Sequence, residues 1–215
     1  MTIMTPMTMP RSWTPIRTDR RRFLGLIACA GGAALLPGRP AFALDSAGAR
    51  ALIDRSLGEV YQVINSGQPA AQMYQQFEAI FARYADVDVI ARSALGPMAR
   101  QTDAPVFADY RQSFQGYIGR KYGARFREFI GSRIEVTGAR PLKSFYAVTS
   151  VAHLNGRAPM EVEWHVSDRS GQDLYFNIII EGVNMLASER AEIGAMLARR
   201  QGDVTALAAD LRQAG

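Results

Sequence analysis

An α+β fold is predicted, and three observations carry the prediction. Between Asp45 and about Ile130 the apolar residues recur at helical spacing; from Arg133 to Glu181 they alternate or run continuously, as in strands; beyond Gly182 the helical spacing returns. Strands gathered in one run between two helical stretches form an antiparallel sheet with helices segregated against it. The expected architecture is a curved, four-stranded antiparallel sheet covered by N- and C-terminal helices.

The first helix carries Leu52, Leu57, Val60, Tyr61 and Ile64 on one stripe and is closed by Ser66-Gly67. Pro69 opens a second, with Met73, Phe77, Ile80, Phe81 and Tyr84, and a short third runs from Asp86 to Leu95. Asp103 is an N-cap candidate with Pro105 in the first turn, so a long fourth helix is expected to reach about Phe129. Phe107, Tyr110, Phe114, Tyr117, Ile118, Tyr122, Phe126 and Phe129 fall mostly three or four apart along it, on one broad face. The direct reading is a core stripe facing the sheet; the functional one is that part of it lines a cavity. Gly116, Gly119 and Gly123 weaken this helix, either as a hinge for ligand release or as flat places for close approach to the sheet.

Turn residues divide the strand region into Arg133 to Arg140, Ser144 to Asn155, Pro159 to Ser167 and Asp173 to Gly182, with Asn155-Gly156 and Ser170-Gly171 as hairpin signals. The third piece alternates: Met160, Val162, Trp164 and Val166 on one face, Glu161, Glu163, His165 and Ser167 on a wet one. The second and fourth are apolar on both faces, so the sheet offers more apolar surface than one packing layer covers. After Gly182 a helix runs from Val183 to Ala198, and Gly202-Asp203 ends it and caps the last, anchored by Leu207 and Leu211.

The N-terminus sets the compartment. Arg20-Arg21-Arg22 precede an apolar run from Phe23 to Leu36, and Ala41-Phe42-Ala43 supplies a small-x-small site. The arrangement resembles a bacterial twin-arginine export signal, cleaved after Ala43, which places the mature protein in the periplasm. Fourteen apolar residues span about 21 Å, short of the roughly 30 Å hydrocarbon core, which argues against a membrane anchor. Cys29 sits in a lipobox-like Leu26-Ile27-Ala28-Cys29, but in the middle of the apolar run rather than at its end. Two domains of function follow: residues 1–43 as signal and 44–215 as a single folded domain.

The formal net charge of +5 belongs to the signal, which holds six of the 25 basic residues and one of the 20 acidic ones. The remainder is neutral, and a nucleic-acid partner loses its electrostatic support. Without its single cysteine the domain relies on a buried core. No Gly-x-Ser-x-Gly elbow, His-Glu-x-x-His helix, Gly-x-Gly-x-x-Gly turn or Walker loop occurs, so neither a catalytic residue nor a cofactor is expected. His153 and His165 read as strand surface residues and no metal site is expected; Glu161 and Glu163 read as the solvent side of an alternating strand, and Asp86, two residues from Asp88 at a helix start, as a helix N-terminal acid.

Val162-Glu163-Trp164, then Ile180-Glu181-Gly182-Val183-Asn184-Met185, then Arg190, Gly202 and Leu207 resemble the signature region of the MlaC / toluene-tolerance family. Ala94-Leu95-Gly96, Phe114, Tyr117 and Tyr122-Gly123 are similar to that family's central pattern, and Asn184 stands where relatives often carry Ser. The resemblance spans most of residues 45–214. It implies an NTF2-like domain that is no enzyme, a monomeric periplasmic carrier whose pocket between sheet and helices takes phospholipid acyl chains. It implies as partners an inner-membrane ABC transporter with an MCE-domain subunit and an outer-membrane lipoprotein–porin complex. The twin-arginine signal is similar to that of a hopanoid-associated branch, which leaves the lipid class open. For the pocket, Phe114, Tyr117, Ile118, Val148, Val151, Trp164, Ile178 and Ile180 are expected lining residues, as apolar side chains on elements that face the interior.

Overall fold

A computed structural model describes residues 44–126, 131–154 and 156–215, within a unit that spans Phe42–Gly215. The segment expected to be an export signal, with Cys29, the Phe126 side chain, Phe129 and the Asn155 half of one hairpin signal lie outside the described residues. Six helices and five strands follow in order: α1 (Ser46–Ile64), α2 (Ala70–Tyr84), α3 (Val87–Leu95), a 3₁₀ turn (Gly96–Arg100), α4 (Ala104–Phe126), β1 (Arg133–Leu142), β2 (Phe145–His153), β3 (Met160–Ser167), β4 (Leu174–Ile180), β5 (Val183–Asn184), α5 (Met185–Arg199) and α6 (Val204–Gln213).

Helix starts follow side-chain capping. Asp45 Oδ1 accepts from Gly48 N at 2.7 Å, Asp86 Oδ1 from Val89 N at 3.1 Å, Asn184 Oδ1 from Ala187 N at 3.0 Å, and Asp203 Oδ1 from Thr205 N and Ala206 N. Each satisfies an orphan amide of the first turn. An Asn in the place of a family Ser is therefore one capping residue for another.

The sheet is antiparallel in the order β1-β2-β3-β4-β5, with five strands where four were expected. The additional strand arises from Glu181-Gly182, which have φ of 49° and 77° and join Ile180 to its partner Val183. Positive φ at both central residues is what a two-residue type I′ hairpin requires, so Gly182 does not end the strand region but folds it back. A register shift opposite His165/Val166 leaves Phe176 as the extra residue of β4, where its ring meets Phe145 edge-on at 5.3 Å. His165 lies against the same Phe145 ring at 4.6 Å, so the wet face of β3 is partly roofed by aromatics.

The inner face of the sheet carries Val148, Ser150, Ala152, Val162, Trp164 and Val166, all buried. α1 packs across β1 and β2, α5 against β4, and α2 on α1. α4 packs chiefly against α2 and α6 rather than directly on the sheet. The glycines explain how. A Cβ on Gly119 would lie 2.7 Å from Glu78 Cβ, and one on Gly123 would lie 2.8 Å from Tyr74 Cδ1, so α2 seats against bare backbone of α4. The close-approach reading holds, with α2 and not the sheet as the neighbour, and the hinge reading has no geometric support.

Candidate functional site

Two halves of α4 face different surroundings. In the first, Phe107, Tyr110, Phe114 and Tyr117 stack in succession with centroid separations of 6.0, 5.9 and 6.4 Å, all at or below 5% exposure. In the second, Ile118, Gly119, Tyr122 and Gly123 border a cavity of about 520 Å³. Such a volume lies within the range of small-molecule and cofactor sites.

The sheet wall of the cavity is Val162 and Trp164 from β3 and Tyr175, Ile178 and Ile180 from β4. Their register explains the grouping: Trp164 pairs with Ile178 and Val162 with Ile180, which puts these side chains on one face. The opposite wall is helical, from Leu57 and Val60 of α1, Phe77 and Ile80 of α2, and Ile90 of α3. At the exposed end stand Arg125, Arg157 and Val183, the last 54% exposed. A largely apolar interior with arginines at one end suits an amphiphile.

A charged cluster ties α4 to α5 at the edge of this wall. Lys121 Nζ donates to Glu189 Oε1 at 2.7 Å and Glu192 Oε2 at 2.6 Å; Tyr122 donates to Glu189 Oε1 at 2.6 Å and Tyr117 to Glu192 Oε1 at 2.6 Å. Burial pulls the Lys121 ammonium down, but its hydrogen bonds to Glu189, Glu192 and Tyr117 outweigh this, and its pKa rises. Glu192 is held below the usual carboxylate range, first by the Lys121 hydrogen bond and then by that from Tyr117. Burial, aided by the bond to Glu192, pushes the Tyr117 phenol up to about 12. Burial also raises Tyr122, with Glu189 adding to it.

Of the eight residues expected to line a pocket, Ile118, Trp164, Ile178 and Ile180 border this cavity. Phe114 and Tyr117 belong instead to the aromatic stack on the other part of α4. Val148 is on the inner face, but α1 packs over β2 there and buries it completely. Val151 has the opposite parity and is paired with Glu135 and Glu161 on the outer face; a period of two forbids it from sharing a wall with Val148. Tyr175, Met185, Leu186 and the α1 and α2 contributions were not expected. The Gly119 and Gly123 pair was the available signal, since it marks where α4 comes close to another element.

Among the described residues no three His, Cys, Asp or Glu are grouped to hold a metal ion, and no helix is long and apolar enough to cross a membrane. His165 Nε2 lies 2.9 Å from Glu163 Oε1, while His153 Nε2 lies 3.6 Å from Glu135 Oε2. The two histidines face different partners, Ala147 and Arg133, and do not meet across the strands.

No curated protein is matched by the sequence. Among solved structures, the phospholipid-binding protein from Ralstonia solanacearum in complex with a phospholipid shares the fold at a TM-score of 0.66. It is 17% identical, and the match covers 77% of this chain and 95% of that one. The model of the MlaC protein family matches residues 54–213, and these residues take in both walls of the cavity and the capped hairpin-to-helix turn at Glu181–Met185. The chain belongs to the MlaC family.

Proposed function

We propose that the protein is a periplasmic carrier that holds phospholipid acyl chains in the cavity between sheet and helices, with no chemistry of its own. The cavity is the observation that carries this reading: it is largely apolar on both walls, open beside Arg125 and Arg157, and among the described residues that line it there is a serine but no histidine to activate it. Ile118, Trp164, Ile178 and Ile180 are the proposed chain contacts, and the arginines lie where an anionic head group would emerge. Both the family and the phospholipid held by the Ralstonia solanacearum protein support the same ligand class. The need for shelter is physical: at about 0.8 kcal/mol per buried methylene, a two-chain lipid in water loses tens of kcal/mol.

The export signal supports the compartment. Leu44, the first residue after the predicted cleavage site, is buried, and its N–H lies 3.3 Å from Asp168 Oδ2. Cleavage after Ala43 would turn that amide into an ammonium facing a carboxylate, a stronger contact. We further assign the inner-membrane ABC transporter with its MCE-domain subunit and the outer-membrane lipoprotein–porin complex as the two partners between which the lipid is carried. Mass spectrometry of organic extracts from gently purified protein tests the reading. Phospholipid in near-stoichiometric amount is expected; its absence, together with turnover of a small molecule, would establish an enzyme on this scaffold instead.

A further inference from the structure

The cavity is not uniformly apolar. Ser56 and Tyr175 both border it, and they are 4% and 8% exposed. Neither hydroxyl has a hydrogen-bond partner among the described residues. A helical serine ordinarily returns its hydroxyl to a carbonyl of the preceding turn, and a buried tyrosine finds an acceptor. Here two side chains more than nine-tenths buried leave hydroxyls unused in one cavity.

Their depth is also informative. Ile180 adjoins the exposed Glu181-Gly182 turn, and at about 3.3 Å per strand residue Tyr175 lies about 16 Å further in. Ser56 is five residues before Tyr61, whose hydroxyl accepts from Ile134 N at the start of β1; at 1.5 Å per residue that is about 7.5 Å deeper along α1. These groups stand too far in to serve a phosphate or ester at the mouth, and they would be left unpaired by plain hydrocarbon.

We infer that the cavity is built for a lipid whose hydrocarbon part carries a hydroxyl, received by Ser56 or Tyr175 in the cavity interior. The inference rests on the carrier reading and narrows its ligand class. A site that hydrogen-bonds a ligand hydroxyl discriminates against the analogue lacking it, because its own polar groups are then left without partners.

The test compares two phosphatidylglycerols, one with stearoyl chains and one with mid-chain hydroxystearoyl chains, by equilibrium binding to the purified protein after delipidation. The wild-type protein should prefer the hydroxylated lipid about tenfold. Tyr175→Phe, which removes one oxygen and keeps the ring that packs edge-on against Trp164, should bring that preference close to parity while binding stearoyl lipid at least as well. Ser56→Ala, a smaller change, should reduce the preference in the same direction. Equal binding of both lipids by the wild type, or a preference unchanged in both variants, overturns the inference and leaves the carrier reading standing. Binding of neither lipid overturns both.

Discussion

The two halves of α4 have similar apolar content and opposite uses. From Phe107 to Tyr117 each large ring rests on the next, and the helix is filled in on that side. From Ile118 to Arg125 glycines replace large residues at Gly119 and Gly123, α2 comes into contact with the backbone, and the side chains that remain border a hollow. Solid core and cavity wall are thus set apart by side-chain volume and by the distance between neighbouring elements, while hydrophobicity is common to both. A filled region resists truncation because surrounding atoms cannot collapse into the gap; a wall that already borders empty space loses less when it is cut back.

The largest effect should come from the solid half. Phe114→Ala is expected to destabilise by about 3–5 kcal/mol in urea or guanidinium unfolding. Ile180→Ala at the cavity wall should cost clearly less and weaken lipid binding instead. Equal losses in stability would mean that the cavity wall is packed as tightly as the stack, and the contrast between the halves would fail.

The tyrosines sharpen the comparison through pH. Burial raises Tyr110 and Tyr117 in the stack and Tyr122 and Tyr175 at the cavity, all above their ordinary value of 10. A raised folded-state pKa contributes stability that is complete below the unfolded value and is lost as pH climbs through the folded one. For Tyr117 the window is from 10 to about 12. Denaturation midpoints should therefore hold level up to pH 10 and fall beyond it. A lipid seated in the cavity should delay ionisation of Tyr122 and Tyr175 and leave Tyr110, which does not border the cavity, unaffected. On the acid side Glu192 has a lowered pKa, so its contribution is present above the ordinary value of 4.5 and lost as pH falls through its folded value.

Glycine substitutions test the close approach. Gly119→Ala forces a methyl to within 2.7 Å of Glu78 Cβ, an overpacking expected to cost about 1–3 kcal/mol by thermal or chemical melts. Measured stability equal to wild type would show that α2 can yield, and would reopen a hinge at this point. The smallest effect is a control of opposite sign. Gly58 in α1 has nothing within 4 Å of its missing Cβ, so Gly58→Ala should stabilise by about 0.4–1 kcal/mol in the same assay.

Much of the fold was legible because its determinants are local. Asp45, Asp86 and Asp203 sit directly at helix starts and accept amides there, and the alternation from Met160 to Ser167 gave β3 and its inner face. The type I′ turn at Glu181-Gly182 was missed because Glu is an unusual residue at positive φ, so the Gly was read as a strand end. Trp164, Ile178 and Ile180, expected as apolar residues on interior-facing elements, border the cavity together because one register aligns them, whereas Val151 was expected there with Val148 although the two lie on opposite faces of β2.

The order of elements, the α+β class, the helix caps and the apolar inner face of the sheet were determined by the sequence itself, since each depends on residues a few positions apart. Which apolar face would be filled and which left hollow was decided only by the tertiary structure. Periodicity reports that a side chain turns away from water, and it reads the same whether the space opposite holds another ring or nothing. That depends on how closely α2 seats on α4 and where α1 covers β2, distances set jointly by residues far apart in the chain.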